Sequence, residues 1–354
     1  MIIDNLDLVH YRNYNHLHLE LDDKMNIIIG NNGIGKTNIL ESLVFISNTR
    51  SFRTAEDQEL IQKEEEYARI IVNSNRCEYR VVINKEGKKL SINQNVAKKS
   101  SDFIGKINAI LFKPDDLEIF SAAPKMRRRL LDIELGKIDK NYLFALTNYS
   151  KLLKDRNTLL KKDVVDMTYF DVLNSEMIEP VLLILKGREE MINFVNLRIS
   201  RYYQKLSNSK AHIELQYQKC CEINEEAITE MFDKSKEKDF QYHFTNVGPQ
   251  KDDFSFLIDG FSVESFASQG QKRMIMIAFK FSLIDYIKLV TKTNPILLLD
   301  DILSELDNEN KTRLLNLIPS DIQTVITSTD IDGIKLNCPY RLFKLGKERV
   351  INDK

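Results

Sequence analysis

Gly30-Asn31-Asn32-Gly33-Ile34-Gly35-Lys36-Thr37 is the stretch that decides the fold. It is a complete G-x-x-x-x-G-K-S/T phosphate-binding loop. The glycines let the backbone curl, so that successive N–H groups converge on phosphate oxygens. Lys36 is placed to reach the terminal phosphates, and the Thr37 hydroxyl to hold Mg²⁺. The flanks agree. The apolar run over 25–29 reads as a buried strand, and Asn38 with the apolar residues of 39–44 opens a helix whose N-terminus faces the anion. Three of the chain's 12 glycines fall within this loop, so the cluster is not a by-product of glycine-rich composition. A glycine turn that binds nothing is the plainer alternative, and the flanking strand and helix argue against it.

A phosphate loop needs carboxylates opposite it, and the C-terminal third supplies them. Leu297-Leu298-Leu299-Asp300-Asp301 is an apolar strand ending in two acids, a Walker B pattern. Asp300 is placed to hold Mg²⁺ opposite Thr37, and Asp301 to polarise an attacking water. Alone, that segment would read as a strand running into an acidic turn. Upstream, Ser268-Gln269-Gly270-Gln271-Lys272-Arg273 leads into an apolar helix, and Ser304-Glu305-Leu306-Asp307 follows the acidic pair. A serine and a glycine at a helix N-terminus make a second anion-binding position. The order of a Ser-x-Gly-Gln loop, then Walker B, then a Ser-x-Leu-Asp loop is that of ABC-type ATPases. There the first loop contacts the γ-phosphate bound to the other subunit.

Composition bounds the rest. A chain of 354 residues can bury a large core and accommodates two domains. With 51 basic and 52 acidic side chains it carries a formal net charge of −1, so any nucleic-acid binding must come from local patches. No apolar run reaches the length of a membrane span, and the N-terminus lacks a basic segment followed by an apolar core. Cys77, Cys220, Cys221 and Cys338 form no C-x-x-C pair, which fits a reduced, cytoplasmic protein. His16 and His18 could share a strand face, but no ligand constellation accompanies them.

Strand patterns are expected over 2–9, 16–21, 25–29, 68–72, 78–84 and 109–112, with a hairpin turn at 84–88. From about 121 to 236 the pattern turns helical, including one long helix over 177–206 kinked or started at Pro180. Strand character returns from about 241, with buried parallel strands at 295–299 and 324–327. The chain therefore reads as an α/β head, 1–115 plus 241–354, interrupted by a helical lobe over 116–240. In class it is an ABC-type ATPase head, a mixed sheet with a phosphate-loop core.

Nearly end to end, these motifs resemble the RecF DNA-repair ATPases, relatives of the chromosome-maintenance ATPases. The resemblance is carried by Tyr11-Arg12-Asn13-Tyr14, by Gly35 to Glu41, and by Arg50-Ser51-Phe52-Arg53-Thr54. It continues through Phe112 to Leu117, Pro124 with Arg127 to Asp132, Ser268 to Arg273, and Leu299 to Asp307. One segment departs: Gly248 to Asp253 has Gln250 and Lys251 where the family usually has His and Arg. Transporter ATPase subunits, the alternative, typically carry Ser-Gly-Gly-Gln and a Glu after the Walker B Asp. Here Gln269 precedes Gly270, and Asp301 follows Asp300.

The resemblance implies ATP and Mg²⁺ as cofactors and double-stranded or gapped DNA as a partner. It also implies an ATP-driven homodimer and cooperation with recombination mediators of the RecO/RecR type. Implied nucleotide contacts are Gly30 to Asn38 together with Arg12, Gly270, Gln271 and Thr329, the last at a γ-phosphate-sensing position. Implied catalytic residues are Lys36, Asp301 and Ser268, with Ser268 acting across the dimer; Thr37 and Asp300 are the implied metal ligands. Arg50, Arg53, Arg127, Arg128 and Arg129 are the DNA-contact candidates. Three successive arginines on a helix point to three sides, so some must face protein, with Asp132 or Glu134 as expected partners.

Overall fold

The computed structural model describes residues 1–330, 339–346 and 350–353; Cys338 lies outside them. The chain divides into two compact units, 1–116 with 205–209 and 276–354, and 117–204 with 210–275.

At the centre of the first unit is a parallel sheet. Tyr340–Leu345, Met25–Ile29, Thr324–Ser328, Ile296–Asp300 and Ala109–Phe112 lie side by side in that order, and Val350–Asp353 adds an antiparallel edge. Ile296–Asp300 and Thr324–Ser328 are buried at every position, which is why their sequences run apolar or β-branched without alternation. The register sets Asp300 beside Thr327 and Ile29 beside Ser328. The C-terminal ends of three neighbouring strands thus come level, and the phosphate loop, the acidic pair and Thr327 all emerge there.

An antiparallel sheet holds Tyr14–Glu20, Asn5–Tyr11, Tyr67–Ser74, Cys77–Asn84, Gly87–Ile92 and Asn95–Val96 in that order. The helix Lys36–Asn48 is buried at every residue from Ile39 to Ser47. One apolar cluster joins Leu8, Leu17 and Ile70 of the antiparallel sheet to Ile39, Leu43 and Phe45 of this helix and to Ile28, Leu298 and Val325 of the parallel sheet. A helix buried on all sides has no polar stripe, and its sequence shows none. The first strand begins at Asn5 rather than Ile2, because the N–H of Ile3 donates to the Gln323 side chain at 2.8 Å instead of joining a ladder.

The second unit departs from the expected pattern in four respects. Its boundary lies at Ile275, not near 240. The strand character returning after 241 belongs to Asp253–Ile258 and Phe261–Ser262, which pair with each other, while the former also pairs with Ile213–Gln218 inside the same unit. That last strand, Ile-Glu-Leu-Gln-Tyr-Gln, alternates with period two, although it lies within the stretch expected to be helical. The long helix is Met167–Asn196, and a separate helix, Ile199–Ser207, follows it. Pro180 neither starts nor ends a helix. It sits buried inside Met167–Asn196, where it forgoes one backbone hydrogen bond. No helix among the described residues is long and apolar enough to cross a membrane.

Candidate functional site

The phosphate loop leaves the parallel sheet at Ile29 and turns into the helix at Gly35, whose φ of 115° and ψ of 8° suit glycine alone. A Cβ at Gly35 would lie 2.6 Å from Asn13 Nδ2 and 2.7 Å from the Tyr14 hydroxyl, so backbone strain and close approach both require glycine. Lys36 Nζ donates to the carbonyls of Gly30 at 2.5 Å and Asn31 at 3.2 Å, which lays the ammonium across the loop. Desolvation lowers its pKa, partly offset by Asp301 and Asp300. The Thr37 hydroxyl donates to Asp300 Oδ1 at 3.0 Å, joining the first helix to a strand 263 residues away in sequence. Thr327 Oγ1 donates to the same oxygen at 2.8 Å. Burial raises the Asp300 pKa, and these two hydroxyls oppose the shift.

Asp301 adopts a left-handed φ of 51°, and its N–H donates to Thr327 O at 3.2 Å and Thr327 Oγ1 at 3.0 Å. That turn brings a second carboxylate beside the first. Asp301 Oδ1 is buried without a hydrogen-bond partner. A buried acceptor left unmatched is costly, and this one is open to a further donor or cation. The donor set suits Mg²⁺: a hard cation takes oxygen ligands, and a hydroxyl and a carboxylate face each other within 3.0 Å.

The Tyr11-Arg12-Asn13-Tyr14 hairpin turn buttresses the loop. Asn13 Nδ2 donates to Ile34 O at 2.7 Å, and Asn13 Oδ1 accepts from Asn38 Nδ2 at 2.7 Å. Arg12 is not free to reach outward. It donates from Nε and Nη2 to the buried Glu41 carboxylate at 2.9 and 2.7 Å, and from Nη1 to Glu59 O at 3.0 Å. Arg53 is likewise drawn in: its Nη1 donates to Asn38 Oδ1 at 2.7 Å and lies 3.7 Å from Glu41. Arg53 thus contacts the phosphate-loop surroundings while its side chain remains exposed. Thr329 is exposed and hydrogen-bonds Asp330 beside it at 3.3 Å.

In the second unit, Ser268 and Gln271 cap the helix Gln269–Thr291 reciprocally. The Ser268 N–H donates to Gln271 Oε1 at 2.8 Å, and the Gln271 N–H to Ser268 Oγ at 3.2 Å. Ser268 and Gly270 are exposed.

The triple arginine divides, and not as expected. Arg127 donates from Nε and Nη2 to Asp253 at 2.7 and 2.6 Å, a bidentate pair, and Arg128 donates to Asp252 O. Asp132 and Glu134, the expected partners, are engaged by Arg188 at 3.0 Å and Lys137 at 2.6 Å. Arg129 and Arg50 remain exposed. Gln250 accepts from the Tyr149 hydroxyl and donates to Val247 O, both within the lobe.

Sequence reasoning missed Asn13, Glu41, Ser51 and Thr327 as parts of the site. Glu41 and Thr327 carry a signal, a polar residue within an apolar pattern, whereas Asn13 and Ser51 lie in polar stretches and carry none. Glu41 sits among buried positions of a helix, Thr327 ends a strand with no exposed face, and the Ser51 hydroxyl donates to Glu41 at 2.5 Å.

Residues 2–113 match the family model described as RecF/RecN/SMC N terminal domain. The DNA replication and repair protein RecF of Oceanobacillus iheyensis is 36% identical and aligns over 94% of this chain and 95% of its own length. Its counterpart from Streptococcus suis is also 36% identical, over 99% of each. The chain belongs to the RecF family. It is thus a DNA replication and repair protein, and the transporter alternative falls away. Among solved structures, the recombination mediator protein RecF with ATP, of the RecFOR pathway, superposes with a TM-score of 0.90 at 29% identity, covering 99% of this chain and 98% of that one. An SMC head bound to the winged-helix domain of ScpA shares the fold, with a TM-score of 0.61 at 17% identity. The RecF resemblance and the ABC-type head expected from the motifs are therefore both correct.

Proposed function

We propose that this chain is an ATP-dependent DNA-binding protein of recombinational repair. In this reading it acts in the cytoplasm on double-stranded and gapped DNA, dimerises on ATP, hydrolyses it slowly with stimulation by DNA, and helps RecO/RecR-type mediators load recombinase on single strands. The observation that carries the reading is the 3.0 Å contact between Thr37 and Asp300 beside the unpartnered Asp301 oxygen. Lys36 and the loop amides from Gly30 to Asn38 bind the phosphates. Thr37 and Asp300 would hold Mg²⁺, which would supply charge neutralisation to the phosphates. Asp301 orients water and accepts its proton. Ser268, with Gly270 and Gln271, acts on the nucleotide of a second copy. Arg12 and Arg53 set the shape of the loop through Glu41 and Asn38, and Thr329 stands as a phosphate-sensing position.

Replacing Lys36 with alanine should weaken ATP binding by about two orders of magnitude, because a charged donor to phosphate is lost. Equilibrium titration with a fluorescent ATP analogue measures this, and retained tight binding would sink the assignment. Ser268→Arg should abolish the ATP-dependent dimer seen by light scattering while leaving nucleotide binding by the monomer intact. A normal dimer in that variant rules out the contact in trans.

Contact with DNA falls to Arg50 and Arg129, the candidates that remain exposed and whose guanidinium groups have no acceptor among the described residues, whereas Arg127 and Arg128 donate to Asp253 and to the Asp252 carbonyl. Arg50→Ala and Arg129→Ala should each weaken duplex binding and reduce the salt slope by about one unit. Arg127→Ala should instead destabilise the lobe, since it leaves Asp253 unpaired. Duplex affinity measured across a salt series in the four proteins separates these outcomes. An unchanged slope in both Arg50→Ala and Arg129→Ala removes them from the DNA surface.

A further inference from the structure

One buried hydroxyl, that of Thr327, touches both members of the acidic pair. Thr327 and Asp300 face each other across the parallel ladder, so their side chains stand on the same side of the sheet. Thr327 Oγ1 donates to Asp300 Oδ1 at 2.8 Å and accepts from the Asp301 N–H at 3.0 Å. The Leu299 carbonyl, 3.3 Å from the same hydroxyl, is the weaker acceptor. The hydroxyl thus uses its donor and an acceptor lone pair at once, which an apolar side chain of the same shape cannot do. Its strand is buried at every position, and Val325 and Ile326 precede it. A hydroxyl in such a place costs free energy unless it is bonded.

The two acids are fixed in different ways. For Asp300 it is the side chain: the hydroxyls of Thr37 and Thr327 both meet Oδ1, and no side-chain hydrogen bond reaches Oδ2 among the described residues. For Asp301 it is the backbone. Its φ of 51° and ψ of 21° lie in the left-handed region, which persists at a non-glycine residue where the surroundings hold it. Its N–H is held twice, by Thr327 Oγ1 and by Thr327 O at 3.2 Å. Asp301 Oδ1 stays unpartnered. One residue therefore restrains the first carboxylate and the turn that carries the second, and an oxygen of each is left unmatched.

We infer that Thr327 is a positioning residue of the ATPase site. It leaves Oδ2 of Asp300 open to the cation that Thr37 and Asp300 would hold, and it sets where Asp301 carries its carboxylate. This role rests on the metal and base functions proposed above for the two acids. A hydroxyl that merely satisfied the strand would contribute stability and leave metal affinity alone. A partner that orients a metal ligand instead changes affinity, by about 10- to 100-fold when it is removed.

Titration with a fluorescent, non-hydrolysable ATP analogue, once in EDTA and once in Mn²⁺, tests the role, with the EPR spectrum of the bound Mn²⁺ as a second readout. Thr327→Val keeps the shape of the side chain and removes the hydroxyl. Affinity in EDTA should match that of the parent chain, because Lys36 and the loop carbonyls are untouched. The gain in affinity on adding Mn²⁺ should fall by about ten-fold or more. Thr327→Ser, which keeps the hydroxyl, should retain most of that gain. Asp300 still has Thr37, and the Asp301 N–H still has the backbone carbonyl at 327, so Thr327→Val orphans neither. Thr327→Ala also lacks the hydroxyl and is measured beside it, with far-UV circular dichroism to check folding. A parent-like Mn²⁺ gain in a folded Val or Ala variant overturns the role. So does a Ser variant as impaired as the Val variant, which would make the methyl group and its packing the cause. An equal loss in EDTA and in Mn²⁺ overturns it too, because the whole phosphate loop would then have shifted. A parent chain that gains nothing from Mn²⁺ overturns the metal reading of Thr37 and Asp300 itself, and this role with it.

Discussion

Asp301→Asn should lower ATP turnover by about 10²- to 10⁴-fold while leaving ATP affinity close to that of the parent chain. The amide keeps the shape of the side chain but cannot accept a proton from water. The groups that would bind the nucleotide are untouched. Lys36 still lies across the loop carbonyls, and Thr37 and Thr327 still donate to Asp300. The backbone of Asp301 stays fixed too, because its own N–H is bonded to Thr327. The variant should therefore accumulate in an ATP-bound dimer. Single-turnover phosphate release and size-exclusion chromatography in ATP measure the two halves of this expectation. Unchanged turnover would show that another group is the base.

Asp239→Ala should destabilise the second unit by about 3–5 kcal/mol. Arg156 and Asp239 are both fully buried and lie 2.8 Å apart. Arg156 also donates to Asn174 Oδ1 and Thr245 Oγ1 and lies over the Phe170 ring at 4.5 Å. Burial lowers its pKa, and Asp239 opposes that shift. Without Asp239 the guanidinium stays in an apolar site with its charge unmatched. Replacing both partners, Arg156→Met with Asp239→Leu, should recover most of the loss, since desolvation rather than attraction dominates such pairs. Urea unfolding followed by far-UV circular dichroism gives both values. A cost below about 1 kcal/mol for Asp239→Ala would mean that water reaches the site.

The two variants separate chemistry from architecture. The nucleotide residues lie at strand ends and a helix N-terminus, where backbone groups are unsatisfied and a charged ligand can replace a missing partner. The Arg156 and Arg188 ion pairs of the second unit lie inside it, and each guanidinium donates to more than one protein acceptor. Arg188 makes the contrast plain. It is 2% exposed, and its guanidinium donates to Asp132 on one side and Asp252 on the other at 3.0 to 3.1 Å. Asp252 in turn accepts from the Tyr217 hydroxyl and the Cys220 N–H. Nothing in that network is left over for a ligand.

The phosphate loop, the acidic strand and the order of the motifs are legible in the sequence, because each depends on adjacent residues. Glycine at Gly35 is dictated by a local φ, and the run 296–300 is apolar because a central parallel strand is covered on both faces. The partners of the charged and polar side chains are set by packing. That Thr37 meets Asp300, that Glu41 draws in Arg12 and Arg53, and that Arg127 turns to Asp253 all join residues far apart in the chain. A charge written in a sequence does not say which opposite charge it will meet. Where several acids compete, as Asp132, Glu134 and Asp253 do for Arg127, packing of the elements that carry them selects the pair.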